Sequence, residues 1–260
     1  MSDEKLDLVA NRLKRASRVT ILTGAGVSAA SGVPTFRGSG GLWRQFRAED
    51  LATPEAFSRD PVLVWEWYAW RRSLVAECQP NPAHDVIARW SREFDRCTVI
   101  TQNVDDLHQR AGTDAARVIE LHGNATRVRC LACGRQWPRD EIQERLVAGE
   151  AVPACTACGG ILKPLTVLFG EPMPAAAVER AEERSRAAGC FLVVGSSLAV
   201  YPAAYMPSYA KEAGARLVVV NLTATRLDHV ADVVLAGSAG AILTGLVSRV
   251  EARVARRSGS

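Results

Sequence analysis

No run of this 260-residue chain is long and apolar enough to suggest a membrane span. Its longest charge-free stretch takes in Gly189 to Ala210 and is broken by Gly195, Ser196, Ser197, Pro202 and Pro207. The opening residues MSDEKLDLVANRLKR lack the apolar core of a secretory leader, so export is not expected. There is no internal repeat and no low-complexity tract, which removes solenoids, collagen and long coiled coils. Neither sign of charge dominates. Lys+Arg 32 against Asp+Glu 28 leaves +4, too little to mark a nucleic-acid partner.

What is present is ordinary for a globular protein: 48% hydrophobic and 23% charged residues, with a mean hydropathy of −0.01. The length fits one large domain, or a large one with a smaller insert. Leu6, Leu8, Val9 and Leu13 recur at helical spacing ahead of a compact apolar run, VTILTG. Similar runs stand at 97–101, 117–121, 190–195 and 216–221, with helical stretches near 83–93, 174–188, 202–213 and 240–255. Strands rich in Val, Ile and Leu alternating with helices predict an α/β fold with a mostly parallel sheet covered on both faces. Two regions break the alternation, 35–78 and the CxxC-bearing 125–165. Both read as insertions that build a smaller domain from a helical module and a zinc-binding module. The expected division is 1–34, 79–121 and 166–260 for the large domain, 35–78 and 122–165 for the small one. The basic end SRVEARVARRSGS reads as a solvated helix finish with a polar tail.

Seven cysteines without an export signal point to a reducing, cytoplasmic setting in which clustered thiols hold metal. Cys130-x2-Cys133 and Cys155-x2-Cys158 lie twenty-one residues apart, the spacing of a zinc ribbon. Four thiolates close the coordination shell, so one structural Zn2+ is expected, with no role in activating water. Cys78, Cys97 and Cys190 fall in helix or strand and read as small buried apolar groups.

After the first strand, Gly24-x-Gly26-x-x-Ala29 fits a turn that lets backbone approach a pyrophosphate at a helix amino terminus. A dehydrogenase would place an acid about twenty residues on, at the end of a second strand. Glu49 and Asp50 stand at that distance, but in an irregular segment.

The continuation is more specific. GAGVSAASGVPTFRG, TQNVDDLHQRAG, ELHGNA, the CxxC pairs, LKPLTVLFGE, VVGSSLAVYPAA and VVVNLT occur in that order between about residues 18 and 245. In these motifs the chain resembles the sirtuins, NAD-dependent protein lysine deacylases. The resemblance implies that NAD is a consumed co-substrate, bound between a Rossmann-type and a zinc-bearing domain, and that the partners are acylated lysines of proteins or peptides. It implies His122 of ELHGNA as the general base acting on a ribose hydroxyl, with Asn103 ordering ribose and water. Asp105 would accept from the nicotinamide carboxamide, and Gln102 would join the same set. Further cofactor contacts are implied for Gly24, Ala25, Gly26, Ser28, Ala29, Thr35, Phe36, Arg37 and Trp43. On the opposite side they are implied for Gly195, Ser196, Ser197, Asn221, Leu222, Thr223 and Ala239. His84 reads as part of a helix start, His108 as a packing or hydrogen-bonding residue, and His229 as part of a surface turn.

Val167, Leu168, Phe169, Gly170 and Glu171 match the segment that takes substrate as an added strand. Tyr68 and Arg71, three apart in VWEWYAWRR, share a helix face and resemble the pair of those sirtuins that remove succinyl, malonyl or glutaryl groups. A guanidinium can bind the distal carboxylate bidentately and the phenol adds a third bond. Ala52 matches the small residue that leaves room in that pocket. With Arg72 adjacent, one of the two arginines reads as solvated. Deacetylation beside the acidic preference stays open. Competing readings are mono-ADP-ribosyl transfer from NAD to protein, an ordinary dehydrogenase, and a zinc-ribbon nucleic-acid module using Arg127, Arg129, Arg135 and Arg139. No membrane and no specific nucleic-acid partner is expected.

Overall fold

The protein is described from a computed structural model, over residues 2–37, 40–94 and 96–257, with the backbone alone for 251–257. The polar tail at 258–260 and the middle of the glycine-rich loop, 38–39, lie outside the described residues. The strands are β1 Val19–Thr23, β2 Cys97–Thr101, β3 Val118–Glu120, β4 Gly123–Cys130, β5 Gln136–Pro138, β6 Leu162–Thr166, β7 Cys190–Val194, β8 Arg216–Asn221 and β9 Val233–Ala236. Six of them form one all-parallel sheet, ordered β3-β2-β1-β7-β8-β9. This is the order of a doubly wound dinucleotide fold, with its switch point between β1 and β7. The sequence reading missed β9, whose four residues VVLA are too short to show a period.

The sheet is buried on both faces because its strands carry apolar residues in both directions. Ile21, Val99, Leu192 and Val218 pack against Leu6, Val9 and Leu13 of the helix Asp3–Arg15, Ile87 and Trp90 of the helix Pro82–Glu93, and Leu243 and Leu246 of the helix Ala239–Arg257. Leu22, Ile100, Phe191 and Val219 face the helices Ala175–Arg186 and Met206–Glu212 through Ala181, Met206 and Ala210. Leu8 does not join the first helix's apolar stripe; it is exposed, and Ala10 takes the buried place. The helix Pro82–Glu93 starts on a reciprocal cap. The Ala83 N–H donates to Asn81 Oδ1 at 2.9 Å, and the Asn81 N–H donates to His84 Nδ1 at 3.2 Å.

The small domain has its own core. β4 runs antiparallel between β5 and β6, and Val128, Cys130, Ile142 and Leu162 pack on Ala56, Phe57, Val64 and Trp65. Those last four belong to the helices Pro54–Arg59 and Pro61–Ala76, each begun by a side-chain cap, Thr53 and Asp60, followed by proline. The Trp65 indole N–H donates to the Leu162 carbonyl at 3.1 Å, tying the helical module to β6. The helical and cysteine-bearing segments, separated in sequence between Ala76 and Gly123, thus form one body.

Candidate active site

A cleft of about 1450 Å3 opens at the carboxyl ends of β1, β2, β7 and β8, between the sheet and the small domain. On its sheet side β1 runs into Gly24, Ala25 and Gly26, and β7 into Gly195, Ser196 and Ser197. The two turns are in main-chain contact: the Gly26 N–H donates to the Gly195 carbonyl at 2.8 Å, and the Gly24 N–H to Val194 at 3.2 Å. A Cβ on Gly26 would stand 2.8 Å from the Gly195 oxygen, and one on Gly195, whose φ is +63°, would stand 2.3 Å from the Val27 nitrogen. The glycines are therefore demanded first by the crossing of two backbones; the bare surface toward the cleft follows from it. Ala29, Asn221, Leu222, Thr223 and Ala239 line the same end, and Thr35, Phe36, Arg37 and Trp43 the loop opposite.

His122 lies at the middle of the cleft, between β3 and β4. Its Nδ1 is 3.0 Å from the carbonyl oxygen of Gln102. A carbonyl only accepts, so the proton sits on Nδ1 and Nε2 keeps its lone pair, the tautomer a base at Nε2 requires. Burial lowers the imidazole pKa below its ordinary 6.5, opposed by the Gln102 carbonyl, and favours the neutral form at neutral pH. Gln102 is itself fixed: its Nε2 donates to Ser196 Oγ at 2.8 Å. The following glycine is obligatory, because Gly123 has φ +73° and a Cβ there would lie 2.2 Å from the Leu165 oxygen where β4 meets β6.

Asn103 lines the cleft and spends its amide donors inward, on the Gly24 carbonyl at 3.2 Å and Ser28 Oγ at 3.1 Å. Ser28 and Asp105, both expected against the cofactor, do not line this cleft: they stand behind its wall. Ser28 Oγ, fully buried, donates to Asp105 Oδ2 at 2.7 Å, and the Leu107 N–H donates to Oδ1 at 3.1 Å, so the carboxylate is held as a local cap. Burial raises the Asp105 pKa against those bonds. His84 Nδ1 accepts from Asn81, so Nε2 carries its proton toward Ser28 Oγ, 3.3 Å away. His108 lies 2.9 Å from Thr23 Oγ1 and packs edge-on to His84, as its expected packing role requires. Burial pushes these two imidazoles down to about 4 and about 3.

The other end of the cleft is aromatic. Phe36 stacks on Trp43, Trp43 on Trp67, and Phe169 meets Trp43 edge-on. Arg71 enters this lining with its guanidinium carbon 4.5 Å from the Phe36 ring centre and 5.9 Å from Trp67. Among the described residues no carboxylate pairs with it. Burial lowers its pKa, with the nearby Tyr68 and Asp105 opposing. The Tyr68 hydroxyl lies 2.7 Å from Thr166 Oγ1, and burial raises its pKa. One of the two arginines was expected to be solvated; Arg72 instead turns to Asp140 at 2.5 Å with only 18% of its side chain exposed. Ala52 lines the pocket and its carbonyl accepts from the Phe169 N–H at 2.8 Å. The Val167 N–H goes to the His122 carbonyl at 2.9 Å and the Leu168 N–H to Glu171 Oε2 at 2.9 Å. The segment 167–171 is thus a pinned turn beyond β6, with the N–H groups of Val167, Leu168, Phe169 and Glu171 all bonded within the chain. Glu171 also holds buried Lys163 at 3.0 Å, a structural duty beside its place on the cleft wall.

Thr166, Trp67 and Val104 line the site without having been expected, as do Met173, Val178 and Tyr201 near one mouth. Thr166 abuts the VLFGE motif, but nothing in the sequence pairs it with a tyrosine 98 residues earlier. Glu49 and Asp50, the only acids at the dehydrogenase distance, sit in the small domain away from the cleft, where Asp50 meets Arg47 and Arg59.

The four cysteine sulfurs of 130, 133, 155 and 158 lie within 4.8 Å of one another, with Cys130–Cys158 at 3.6 Å and Cys133–Cys155 at 3.8 Å. A tetrahedral shell with zinc–sulfur bonds of about 2.3 Å needs sulfurs about 3.8 Å apart, so the set fits Zn2+ without rearrangement. All seven cysteines are free thiols; Cys78, Cys97 and Cys190 are buried, and burial lifts the last two to about 12.

The family model described as Sir2 family matches residues 24–202. NAD-dependent protein deacylase 2 of Pyrobaculum aerophilum is 48% identical over 249 residues, covering 96% of this chain and 97% of that protein. The NAD-dependent protein deacylase of Aquifex aeolicus is 52% identical over 214 residues, 82% and 87% of the two chains. Among solved structures, one concerned with the mechanism and regulation of Sir2 enzymes superposes with a TM-score of 0.89 at 41% identity, covering 97% of this chain and all of that one. A Sir2 homologue–NAD complex gives 0.87 at 40% identity, over 98% and 96%.

Proposed function

The chain belongs to the Sir2 family, and from that premise we propose that it removes acyl groups from protein lysine at the expense of NAD, preferring acyl groups that end in a carboxylate. The deacylase reading is carried by His122: a neutral imidazole, its Nδ1–H fixed by a carbonyl, with Nε2 free in the cleft that separates the glycine turns from the aromatic pocket. Gly24–Gly26 and the β7 and β8 turns would hold the pyrophosphate of NAD, since no side chain bars its approach to the backbone of the glycine turns. The acyl-lysine enters from the other end. Its acyl oxygen attacks ribose C1′ as nicotinamide departs with the bonding pair. The ribose hydroxyl, deprotonated by His122 Nε2, then closes on the resulting imidate carbon, and water releases free lysine and O-acyl-ADP-ribose. The sheet and the small domain supply position and exclusion of bulk water more than reactive groups.

The acidic preference is supported by Arg71. A half-buried cation in an aromatic lining, with no ion pair among the described residues and its nearby acid Asp105 committed to Ser28 and Leu107, is a costly arrangement that a substrate carboxylate would relieve. Tyr68, anchored to Thr166, can donate to the same group. Ala52 leaves the space that a longer acyl chain needs. The free thiols support a cytoplasmic setting. The test is a panel of acetyl-, succinyl-, malonyl- and glutaryl-lysine peptides incubated with NAD and followed by mass spectrometry. Matched nicotinamide, free lysine and O-acyl-ADP-ribose support the reading. Label from NAD left on a protein acceptor, without free-lysine product, would instead establish mono-ADP-ribosyl transfer.

A further inference from the structure

Behind the acyl pocket lies a second cavity of about 40 Å3, and Tyr68, Arg71 and Val104 form the wall common to both. Its far side is built by the helix Arg139–Val147, with Ala125 and Pro164 from the three-stranded sheet. Three arginines line it, Arg71, Arg72 and Arg139, against a single lining carboxylate, Asp105. Asp105 is committed to Ser28 and to the Leu107 N–H. Arg72 is held by Asp140 on the rim and, at 3.4 Å, by the Arg139 carbonyl. Arg139 is less well served: its Nε–H is buried and has no hydrogen-bond partner among the described residues. Burial, and then the neighbouring Arg72 charge, lower its pKa to about 10, opposed by Asp140 and Asp106. The rest of the lining is mostly apolar, so three guanidiniums set against one committed carboxylate leave the cavity short of an acceptor, and none of the described residues supplies it.

We propose that this cavity is a small-anion site, taking one monovalent anion of halide or carboxylate size between Arg139 and the Arg71 and Arg72 guanidiniums. Its volume admits a chloride or one carboxylate group. Two sources offer that chemistry: a free anion, or the far carboxylate of a long acyl chain that passes Arg71. The first is independent of the deacylase reading; the second rests on it.

Thermal unfolding of the zinc-loaded protein, with chloride exchanged for methanesulfonate at constant ionic strength, tests the site without any substrate. Wild type gains roughly 3–6 °C when chloride reaches tenfold its dissociation constant, and Arg139→Gln gains nothing. A wild-type midpoint indifferent to chloride overturns the proposal. Should Arg139→Gln fail to fold, Arg139→Lys retains the charge without the Nε–H and must lose most of the gain. Wild-type crystals soaked in bromide must then also show an anomalous peak between residues 71, 72 and 139, and an empty cavity there overturns the proposal. Kinetics assign the source: chloride that raises KM for a glutaryl-lysine peptide but not an acetyl-lysine one assigns the site to the substrate carboxylate, and chloride that changes neither assigns it to free anions. A protein that turns over neither peptide fails as a deacylase while the thermal measurement still decides the site.

Discussion

Replacing Arg71 by methionine removes the guanidinium and keeps an unbranched apolar stem of similar reach. In the native pocket that guanidinium packs on Phe36 at 4.5 Å and forms no ion pair among the described residues, the nearby Asp105 being bonded to Ser28 and the Leu107 N–H, so an incoming carboxylate meets a charge already partly desolvated. Hydrogen bonds to charged groups contribute about 1.5–3 kcal/mol, and a bidentate pair sits toward the upper end. A loss of about 2–3 kcal/mol is roughly a thirty- to 150-fold fall in kcat/KM for succinyl-lysine. The contact with Phe36 is lost whichever acyl group is bound, so it cancels in the ratio of succinyl to acetyl activity. That ratio, measured on one peptide with two acyl groups, is the assay. Wild type should favour succinyl and Arg71→Met should favour acetyl, with acetyl activity itself changed less than about threefold, within about 0.7 kcal/mol. Tyr68→Phe should reduce the ratio by about two- to tenfold, the range for one hydroxyl hydrogen bond. An unchanged ratio in Arg71→Met would refute the idea that this charge reads the acyl terminus.

Because burial lowers the His122 pKa below 6.5 and the base must be unprotonated, kcat/KM should hold flat through neutral pH and fall only as pH drops through that lowered value. An acid limb centred above 6.5 would contradict the dominance of burial over the Gln102 hydrogen bond at His122. His122→Asn should cost about 10²–10⁴-fold, the usual worth of a general base. Metal analysis should return one zinc per chain, and Cys155→Ser should lose it along with the fold of the small domain, whereas the parallel sheet keeps its circular dichroism; zinc retained at full occupancy would disprove the four-sulfur assignment. Gly195→Ala, whose Cβ would lie 2.3 Å from the Val27 nitrogen, should lower stability by about 1–3 kcal/mol and weaken NAD binding, read by denaturant midpoint and by calorimetry.

The sheet was legible because its central strands are uninterrupted apolar runs closed by glycine or polar turns, and only the short edge strand β9 escaped. The zinc ligands were legible because their spacing is a local property of the chain. What sequence could not reveal depended on contacts between distant segments. Ser28 and Asp105 were expected at the cofactor, but their mutual bond and the Leu107 cap draw them behind the wall. Glu171 was assigned to substrate, while a buried lysine eight residues earlier takes its carboxylate. The distinction between Arg71 and Arg72 is likewise invisible in the run WRR: one helix position faces the aromatic lining and the next faces Asp140.

Gln102 has a wider meaning. Its main-chain N–H is bound to Thr23 in β1, its carbonyl orients His122, and its side chain reaches Ser196 in the β7 turn. The orientation of His122 is therefore set by a main-chain carbonyl, whereas the aromatic end of the cleft is shaped by side chains of another part of the fold, among them Ala52, Tyr68 and Arg71. On the proposed reading, acyl selectivity can drift, or be engineered at positions 52, 68 and 71, without disturbing the bond that orients His122.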